Sequence, residues 1–186
     1  MKNIYPPELE NFEIFFVDLD GSLIAEDLSF QSFKAYLKQK PWKIFEILLQ
    51  LVFYRQKAKK IMCEAVVFEK LHFTLNDELL ALLEYLKGCS KKIVLATGSF
   101  HHYAEKIAAA VGVFDAVLAT SMSVNFIGKN KLAGMKDFAG GKTFVYIGNS
   151  RVDLEVWAGS PAGIVVNASE YVRKQARQMT SVLMEF

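Results

Sequence analysis

Five short runs of apolar residues recur along the chain, and each run stops at small or polar residues typical of turns. The runs are almost continuously apolar rather than alternating, which is the pattern of strands covered on both faces in a parallel sheet. Strands are therefore predicted at residues 12–17, 92–97, 114–120, 142–147 and 162–167.

Apolar residues at helical spacing separate most of these runs. Residues 76–88, for example, begin with a capping Asn76 and end on Gly88. The alternation of strands with helices predicts an α/β fold built on a doubly wound parallel sheet. The other helices predicted around this sheet span residues 102–112, 150–159 and 170–179.

The segment 27–75 interrupts the alternation, because it contains no strand signal. It follows the first strand directly, so we expect it to form a helical insertion that lies over the site at the end of that strand. The predicted domains are an α/β core made of residues 1–26 and 76–186, and a helical cap at 27–75. Within the cap, helices are predicted at 27–39, 41–55 and 57–71.

The stretch 41–55 is the longest apolar segment, although Lys43, Glu46 and Gln50 interrupt it. It is too short to cross a bilayer, which takes about 20 residues. Its large apolar residues recur at helical spacing and would form one broad face. The pattern leaves open whether this face is buried in the protein or packs on a membrane surface or an apolar substrate. The face consists of Trp42, Phe45, Leu48, Leu49, Val52 and Phe53.

Composition narrows the possible partners and the expected location. The net charge of the 186 residues is only +2 and no basic run alternates with aromatics, so no nucleic-acid partner is expected. Cys63 and Cys89 lack metal-ligand or redox spacing and are expected to be buried thiols in a reducing compartment. The N-terminal residues lack the apolar core of a signal peptide. The expected location is therefore cytoplasmic, with a peripheral position at the membrane as the alternative that segment 41–55 leaves open.

Polar residues follow the predicted strands at the edge where an open parallel sheet binds its ligands. They include carboxylates, hydroxyls, a carboxamide and ammonium groups. The set consists of Asp18, Asp20 and Ser22 after the first strand, Thr97, Gly98 and Ser99 after the second, Lys129 and Lys131 after the third, and Gly148, Asn149, Ser150 and Asp153 after the fourth.

Asp18 and Asp20 lie two positions apart with no basic neighbour in sequence, so either a cation offsets their mutual repulsion or the pair belongs to a solvated turn. Oxygen ligands of this kind suit Mg²⁺, which would also let a carboxylate approach an anionic phosphate. One carboxylate could then attack phosphorus and form an aspartyl-phosphate. The other could protonate the leaving oxygen and later activate water. Thr97 and a lysine would hold the phosphoryl oxygens.

Four stretches of the chain resemble, in order, the four motifs of the haloacid dehalogenase (HAD) superfamily of phosphohydrolases. They are DLDGS at 18–22, LATGS at 95–99, a lysine within 129–136, and GNSRVD at 148–153. The resemblance covers residues 12–170 and implies a Rossmann-like core. It also implies that the helical insertion is a small cap that controls substrate access.

The resemblance also implies a role for each matching residue. Asp18 would be the nucleophile and Asp20 the general acid/base, which favours phosphatase over dehalogenase chemistry. Thr97 and Lys131 would bind the phosphoryl group, with Lys131 favoured over Lys129 and Lys136. Gly98 and Ser99 would join Thr97 and Lys131 in binding the substrate. The Mg²⁺ contacts would be Asp18, the backbone carbonyl of Asp20 and Asn149, with Asp153 assisting directly or through water. Asparagine stands at 149 where many members have aspartate, so weaker Mg²⁺ binding is expected.

A closer resemblance involves residues 18–33, 111–121 and 144–169, which are similar to HAD-like domains fused ahead of UbiA-type membrane prenyltransferases. It implies a phosphorylated substrate and leaves open whether that substrate is lipid-linked. Together with the apolar segment 41–55, it motivates the hypothesis of contact with a membrane or a prenyltransferase. The expected function is thus a Mg²⁺-dependent phosphatase acting on a small-molecule or lipid-linked phosphomonoester. The alternative is a non-catalytic module that binds a phosphorylated ligand or a membrane partner.

Overall fold

The computed structural model describes residues 5–65 and 73–186. Its centre is a six-stranded, all-parallel sheet with the strand order β3-β2-β1-β4-β5-β6. This architecture confirms the predicted α/β fold with a Rossmann-like parallel sheet. The strands are β1 (Ile14–Val17), β2 (Lys92–Phe100), β3 (Ala116–Thr120), β4 (Phe144–Gly148), β5 (Ala162–Val165) and β6 (Ser181–Glu185).

Helices connect the strands and cover both faces of the sheet. Apolar side chains of β1 alternate between the two layers, since Phe15 and Val17 belong to one buried cluster and Ile14 and Phe16 to the other. The helices are α1 (Leu28–Gln39), α2 (Ile44–Phe53), α3 (Arg55–Ala65), α4 (Asp77–Gly88), α5 (His101–Val111), α6 (Gly128–Ala139), α7 (Leu154–Trp157) and α8 (Glu170–Met179).

Two elements were not predicted from the sequence, namely α6 and the edge strand β6. The predicted helix 150–159 is also shorter than expected. It consists of a 3-10 turn at Arg151–Asp153 followed by the single turn of α7. Strand β2 runs three residues beyond its predicted end, with a register shift between Thr97 and Phe100 against β3.

Strand β1 lies in the middle of the sheet, between β2 and β4. Its last residue, Val17, is therefore followed by polar residues that are enclosed by neighbouring strands on both sides. The backbone amide of Asp18 still donates to the carbonyl of Ile147 at 2.9 Å, which fixes the start of the first motif against the end of β4.

Helices α1, α2 and α3 all lie within the segment predicted as a cap. Asp27 caps α1 by accepting a hydrogen bond from the amide of Phe30 at 2.9 Å. The last six residues of the third predicted cap helix, 66–71, lie outside the described residues. The domain boundaries at 26/27 and 75/76 stay a prediction. The three helices share a small apolar cluster of their own, made of Tyr36, Ile47, Ala58 and Met62.

The structure answers one open question about burial and corrects one expectation. The apolar face of segment 41–55, whose burial the sequence left open, is exposed, because α2 turns only its other side, with Ile47, toward the rest of the cap. Cys63 is buried as expected, but Cys89 is exposed at the end of α4. No helix within the described part of the chain is both long and apolar enough to cross a membrane.

Candidate active site

A cleft of about 510 Å³ opens between the carboxyl ends of β1 and β4 and the cap helices. Residues from all four motif regions meet there with residues of α1 and α3. The lining includes most of the predicted site residues. It consists of Asp18, Asp20, Gly21, Ala25, Asp27, Ser29, Lys59, Gly98, Ile127, Lys131, Asn149, Ser150, Val152 and Asp153.

Asp18 and Lys131 form a buried ion pair at the floor of the cleft. The Nζ atom of Lys131, on the first turn of α6, donates to Oδ1 of Asp18 at 2.7 Å. It also lies 3.7 Å from Oδ1 of Asp153. Lys129 and Lys136, the other lysines considered for this position, are exposed on the same helix. The structure therefore brings Lys131, and neither of these two, to the aspartates.

Burial dominates the electrostatics of Asp18. Loss of hydration raises the pKa of its carboxyl to about 7, although the positive charge of Lys131 opposes the shift. Burial works to lower the pKa of Lys131, but the negative charges of Asp18 and Asp153 outweigh it and leave that pKa raised. The site thus holds a charged lysine among several carboxyl groups, and an additional cation would favour ionised Asp18.

Asp20 is held by one contact from the core and one from the cap. The hydroxyl of Ser99 donates to its Oδ2 at 2.6 Å, and the amide of Leu28, the first residue of α1, donates to its Oδ1 at 2.8 Å. Burial raises the pKa of Asp20, and these two hydrogen bonds oppose that shift. The carboxyl group is therefore fixed in position at the junction of core and cap.

The second motif contributes differently from what was expected. The hydroxyl of Thr97 is buried and accepts a hydrogen bond from the amide of Ser99 at 3.0 Å, and neither residue is among the described residues that line the cleft. Gly98 does line it, and its carbonyl accepts hydrogen bonds from Lys59 at 2.5 Å and from Thr120 at 2.8 Å. The predicted substrate-binding roles of Thr97, Gly98 and Ser99 stay predictions.

Asp153 organises the loop that follows β4. Its Oδ2 accepts hydrogen bonds from the amides of Asn149 at 3.1 Å and Ser150 at 2.9 Å, and from the Ser150 hydroxyl at 2.8 Å. Its Oδ1 accepts a short hydrogen bond from the hydroxyl of Tyr146. Three of these donors meet at Oδ2 and one at Oδ1, so the Asp153 carboxylate fixes the loop after β4 in place. Its predicted part in holding an ion, directly or through water, stays a prediction.

Asn149 supplies the clearest sign that the cleft can hold a cation. Its Oδ1 is buried and has no hydrogen-bond partner. Burial without a partner is costly for an amide oxygen unless a bound ligand supplies the missing interaction. Gly21 allows the side chain to lie there, because a Cβ at that position would come 2.0 Å from Nδ2 of Asn149. Gly21 also has a φ of +78°, in the left-handed region that favours glycine.

These donors fit Mg²⁺, which accepts one or two carboxylates together with neutral oxygens and water. The described residues contain no cluster of three or more His, Cys, Asp or Glu side chains with metal-binding geometry, so the set depends on the Asn149 amide oxygen. Asp18, the backbone carbonyl of Asp20 and Asn149 could hold the ion, with Asp153 behind them.

Two residues of the site escaped the sequence analysis. The hydroxyl of Tyr146 accepts from Lys131 Nζ at 2.9 Å and donates to Asp153, so it joins the third and fourth motifs. Burial and the charges of Asp153 and Asp18 raise its pKa well above the usual value, which keeps the hydroxyl protonated. Lys59, on α3 of the cap, reaches the cleft and contacts Gly98.

Asp18, Lys131 and the loop after β4 lie together at the carboxyl edge of the parallel sheet. This is the edge at which α/β proteins with an open parallel sheet bind their ligands. The model of the family described as haloacid dehalogenase-like hydrolase matches residues 15–157, from β1 through α7. The chain therefore belongs to the haloacid dehalogenase-like hydrolases, and the resemblance seen in the four motifs is confirmed at this level.

Comparison with individual proteins gives distant similarities. An uncharacterized protein of Sinorhizobium fredii, y4nM, is 23% identical over 150 residues, which make up 80% of this chain and 29% of that protein. The chain thus spans less than a third of the length of this curated relative. The HAD family hydrolase t0658 of Salmonella enterica serovar Typhi has a TM-score of 0.70 at 16% identity, covering 97% of this chain and 69% of that one. A substrate-bound phosphoserine phosphatase has a TM-score of 0.66 at 12% identity, covering 91% and 92%. The two structural similarities establish the fold alone.

Proposed function

We propose that the protein is a Mg²⁺-dependent phosphatase that hydrolyses a phosphomonoester through an aspartyl-phosphate on Asp18. The observation that carries the proposal is the 2.7 Å contact between the buried Asp18 carboxylate and Lys131 at the floor of a cleft. Membership of the haloacid dehalogenase-like hydrolases and the similarity of fold to phosphoserine phosphatase support it.

In the first step a carboxylate oxygen of Asp18 attacks phosphorus, and the bond between phosphorus and the ester oxygen breaks. Lys131 orients the nucleophile and places a positive charge where the phosphoryl oxygens gather negative charge. Asp20 gives its proton to the leaving oxygen, so the alcohol departs neutral. Its hydrogen bonds with Ser99 and Leu28 hold it at the edge of the same cleft.

In the second step Asp20, now ionised, takes a proton from water, whose oxygen attacks the same phosphorus. The bond between Asp18 and phosphorus breaks, inorganic phosphate leaves, and both aspartates return to their starting states. The hydrogen bonds that fix Asp153 keep the Asn149 loop in place through both steps. Bound Mg²⁺ would neutralise charge between the carboxylate and the phosphate, and Asp18, the Asp20 carbonyl and Asn149 are the groups proposed to hold it.

The cap supplies the groups that would contact the alcohol portion of the substrate. Asp27, which caps α1, Ser29 of α1 and Lys59 of α3 line the cleft together with the apolar residues Ile127 and Val152. A substrate with polar groups near the phosphate and an apolar remainder fits this lining. The resemblance to domains fused to UbiA-type prenyltransferases supports the finer proposal that the alcohol is lipid-linked or related to prenyl chemistry.

The test is release of inorganic phosphate from a panel of phosphomonoesters that includes prenyl phosphates, with Mg²⁺ and with a chelator. Asp18→Asn keeps the shape of the side chain and removes the nucleophile. Asp137→Asn, an exposed position on α6, is the matched control. We expect turnover in the parent protein and the control but not in Asp18→Asn. Equal background from all three proteins would support the alternative, a non-catalytic module that binds a phosphorylated ligand.

A further inference from the structure

Helix α2 exposes a face of large apolar side chains. We call this face the apolar cap face; it consists of Trp42, Phe45, Leu48, Leu49, Val52 and Phe53. Phe45 is 83% exposed and Trp42 is 74% exposed. Single apolar residues are common on protein surfaces, but a contiguous row of this size is typical of an interaction site.

The orientation of α2 is fixed by its other side. Ile47 is 1% exposed and packs in the cap cluster with Tyr36 of α1 and with Ala58 and Met62 of α3. Residues 45, 48, 49, 52 and 53 lie on the outward side at helical spacing. The exposure of the face therefore results from packing that holds α2 in one orientation on the cap.

Positive charge is concentrated around the same helix. Residues 34–60 carry eight basic residues and one acidic residue, Glu46, whereas the remainder of the chain carries fourteen basic and nineteen acidic residues. Residues 34–60 thus have a net charge of +7 in a protein of net charge +2. The basic residues are Lys34, Lys38, Lys40, Lys43, Arg55, Lys57, Lys59 and Lys60.

Interactions within the protein account for only part of this clustering. Lys43 is paired with Glu46 at 2.9 Å, Lys40 lies over the ring of Tyr36, and Lys38 is in the last turn of α1. Lys40 and Lys43 nevertheless directly precede the N-terminus of α2, where a positive charge opposes the helix dipole, and both Lys38 and Lys40 are exposed. The arrangement matches an amphipathic helix in a membrane interface, with apolar side chains in the acyl region and lysines at the head groups.

We infer that the apolar cap face docks on the surface of an anionic lipid bilayer, with α2 lying in the plane of the interface. The inference rests on the surface of the cap alone and does not depend on the proposed phosphatase activity. Charge complementarity favours this occupant, since each basic residue near an anionic membrane strengthens binding. A second copy of the chain is disfavoured, because two segments 34–60 with a net charge of +7 each would face one another.

The two tryptophans provide a direct readout. Trp157, the last residue of α7, is fully buried, and Trp42 is exposed on the apolar cap face. Vesicles of phosphatidylcholine with phosphatidylglycerol should shift the emission of Trp42 to the blue, and brominated lipids should quench it. Neutral phosphatidylcholine vesicles, or high salt, should weaken the effect because the electrostatic attraction is lost. Trp42→Phe should abolish the shift and retain binding.

A vesicle flotation assay with two pairs of double variants separates the contribution of the apolar side chains from that of the lysine charges. Phe45→Ser with Leu49→Ser should reduce binding about tenfold or more, since two buried apolar side chains are lost. Met122→Ser with Tyr171→Ser, which alter exposed apolar residues outside the cap, should leave binding unchanged.

A second double variant tests the lysine charges in the same flotation assay, again with a matched control. Lys38→Glu with Lys40→Glu should also weaken binding about tenfold or more, because two charges near the membrane change sign and the net charge falls by four units. The matched control is Lys129→Glu with Lys174→Glu, both exposed and outside the cap. Circular dichroism and thermal unfolding verify that all four double variants fold.

Three results would overturn the inference. One is the absence of flotation with anionic vesicles. Another is flotation without a Trp42 shift, since this would mean adsorption by charge alone. The third is a dimer detected by light scattering that is lost in Phe45→Ser with Leu49→Ser while vesicles remain unbound, because this would assign the face to a second copy.

Discussion

The hydroxyl of Ser99 donates a 2.6 Å hydrogen bond to Oδ2 of Asp20, and this contact ties the proposed general acid to strand β2. The other oxygen of Asp20 accepts from the amide of Leu28, where the first cap helix begins. The side chain that would protonate the leaving group is therefore positioned jointly by the core and the cap.

Ser99→Ala should lower kcat/KM about tenfold for alkyl phosphomonoesters, because general acid catalysis as a whole contributes about 10²–10⁴-fold and depends on position. The loss should be smaller for p-nitrophenyl phosphate, whose leaving group hardly needs a proton. Ser123→Ala, in the exposed loop after β3, is the control. An equal loss on both substrates would mean that Ser99 acts on something other than Asp20.

Asn149→Asp should bind Mg²⁺ about tenfold more tightly, since a charged oxygen replaces a neutral one in a site that already holds Asp18. Calorimetric titration with Mg²⁺ in the absence of substrate measures this directly. Asn130→Asp, exposed on α6, introduces the same charge away from the cleft and should have no effect. An unchanged affinity in Asn149→Asp would remove Asn149 from the proposed ligand set.

Gly21→Ala should abolish or strongly weaken Mg²⁺ binding. The added Cβ would come 2.0 Å from Nδ2 of Asn149, so the Asn149 amide would be displaced. Gly112 provides an unusually close control: its φ is also +78°, but nothing lies within 4 Å of an added Cβ. Both variants should lose about 1–2 kcal/mol of stability from left-handed backbone strain. If Gly21→Ala and Gly112→Ala both bind Mg²⁺ with the affinity of the parent protein, the contact between Gly21 and Asn149 does not affect binding of the ion.

Asp115 should stabilise the fold at neutral pH and lose this effect in acid. Partial burial works to raise its pKa, but hydrogen bonds from Lys87 and from the amide of Ile93 outweigh burial and lower the pKa. A carboxylate whose folded pKa is depressed contributes stability above its unfolded pKa, near 3.9, and loses it as pH falls through the folded value.

Asp115→Asn should therefore lower the free energy of unfolding by about 1 kcal/mol at pH 7, with the difference from the parent shrinking below about pH 4. Urea unfolding across this pH range measures it, and Asp137→Asn serves as the exposed control. A difference between parent and variant that stays constant with pH would contradict the assignment.

The sequence was most informative where a run of apolar residues ends in polar ones. Such a pattern located β1 and placed Asp18 and Asn149 at one edge of the sheet, because parallel strands align their carboxyl ends. Helix α6 was missed since it contains Gly128 and Gly134, which weaken the helical signal. The presence of glycine at position 134 is explained by packing in the folded protein, because an added Cβ would come 2.6 Å from the ring of Phe126.

Other features depend on contacts distant in sequence. Tyr146 looks like an ordinary strand residue, and its role depends on Lys131 and Asp153 meeting its hydroxyl. Lys59 reaches the cleft only because α3 packs against β2, which no local pattern encodes. Periodicity likewise identified the apolar face of α2 but could not indicate whether that face turns inward or outward, since both orientations have the same spacing.

The proposed catalytic cycle is tested most directly by trapping the covalent intermediate. Asp20→Asn should react with p-nitrophenyl phosphate, whose leaving group needs little acid, and then accumulate phosphoenzyme because no base activates water. Acid quenching and mass spectrometry should reveal one added phosphoryl group, mapped to Asp18 and absent when Asp18→Asn is combined with it. Turnover by the parent protein without any adduct on Asp18, or with the adduct on another residue, would contradict the account.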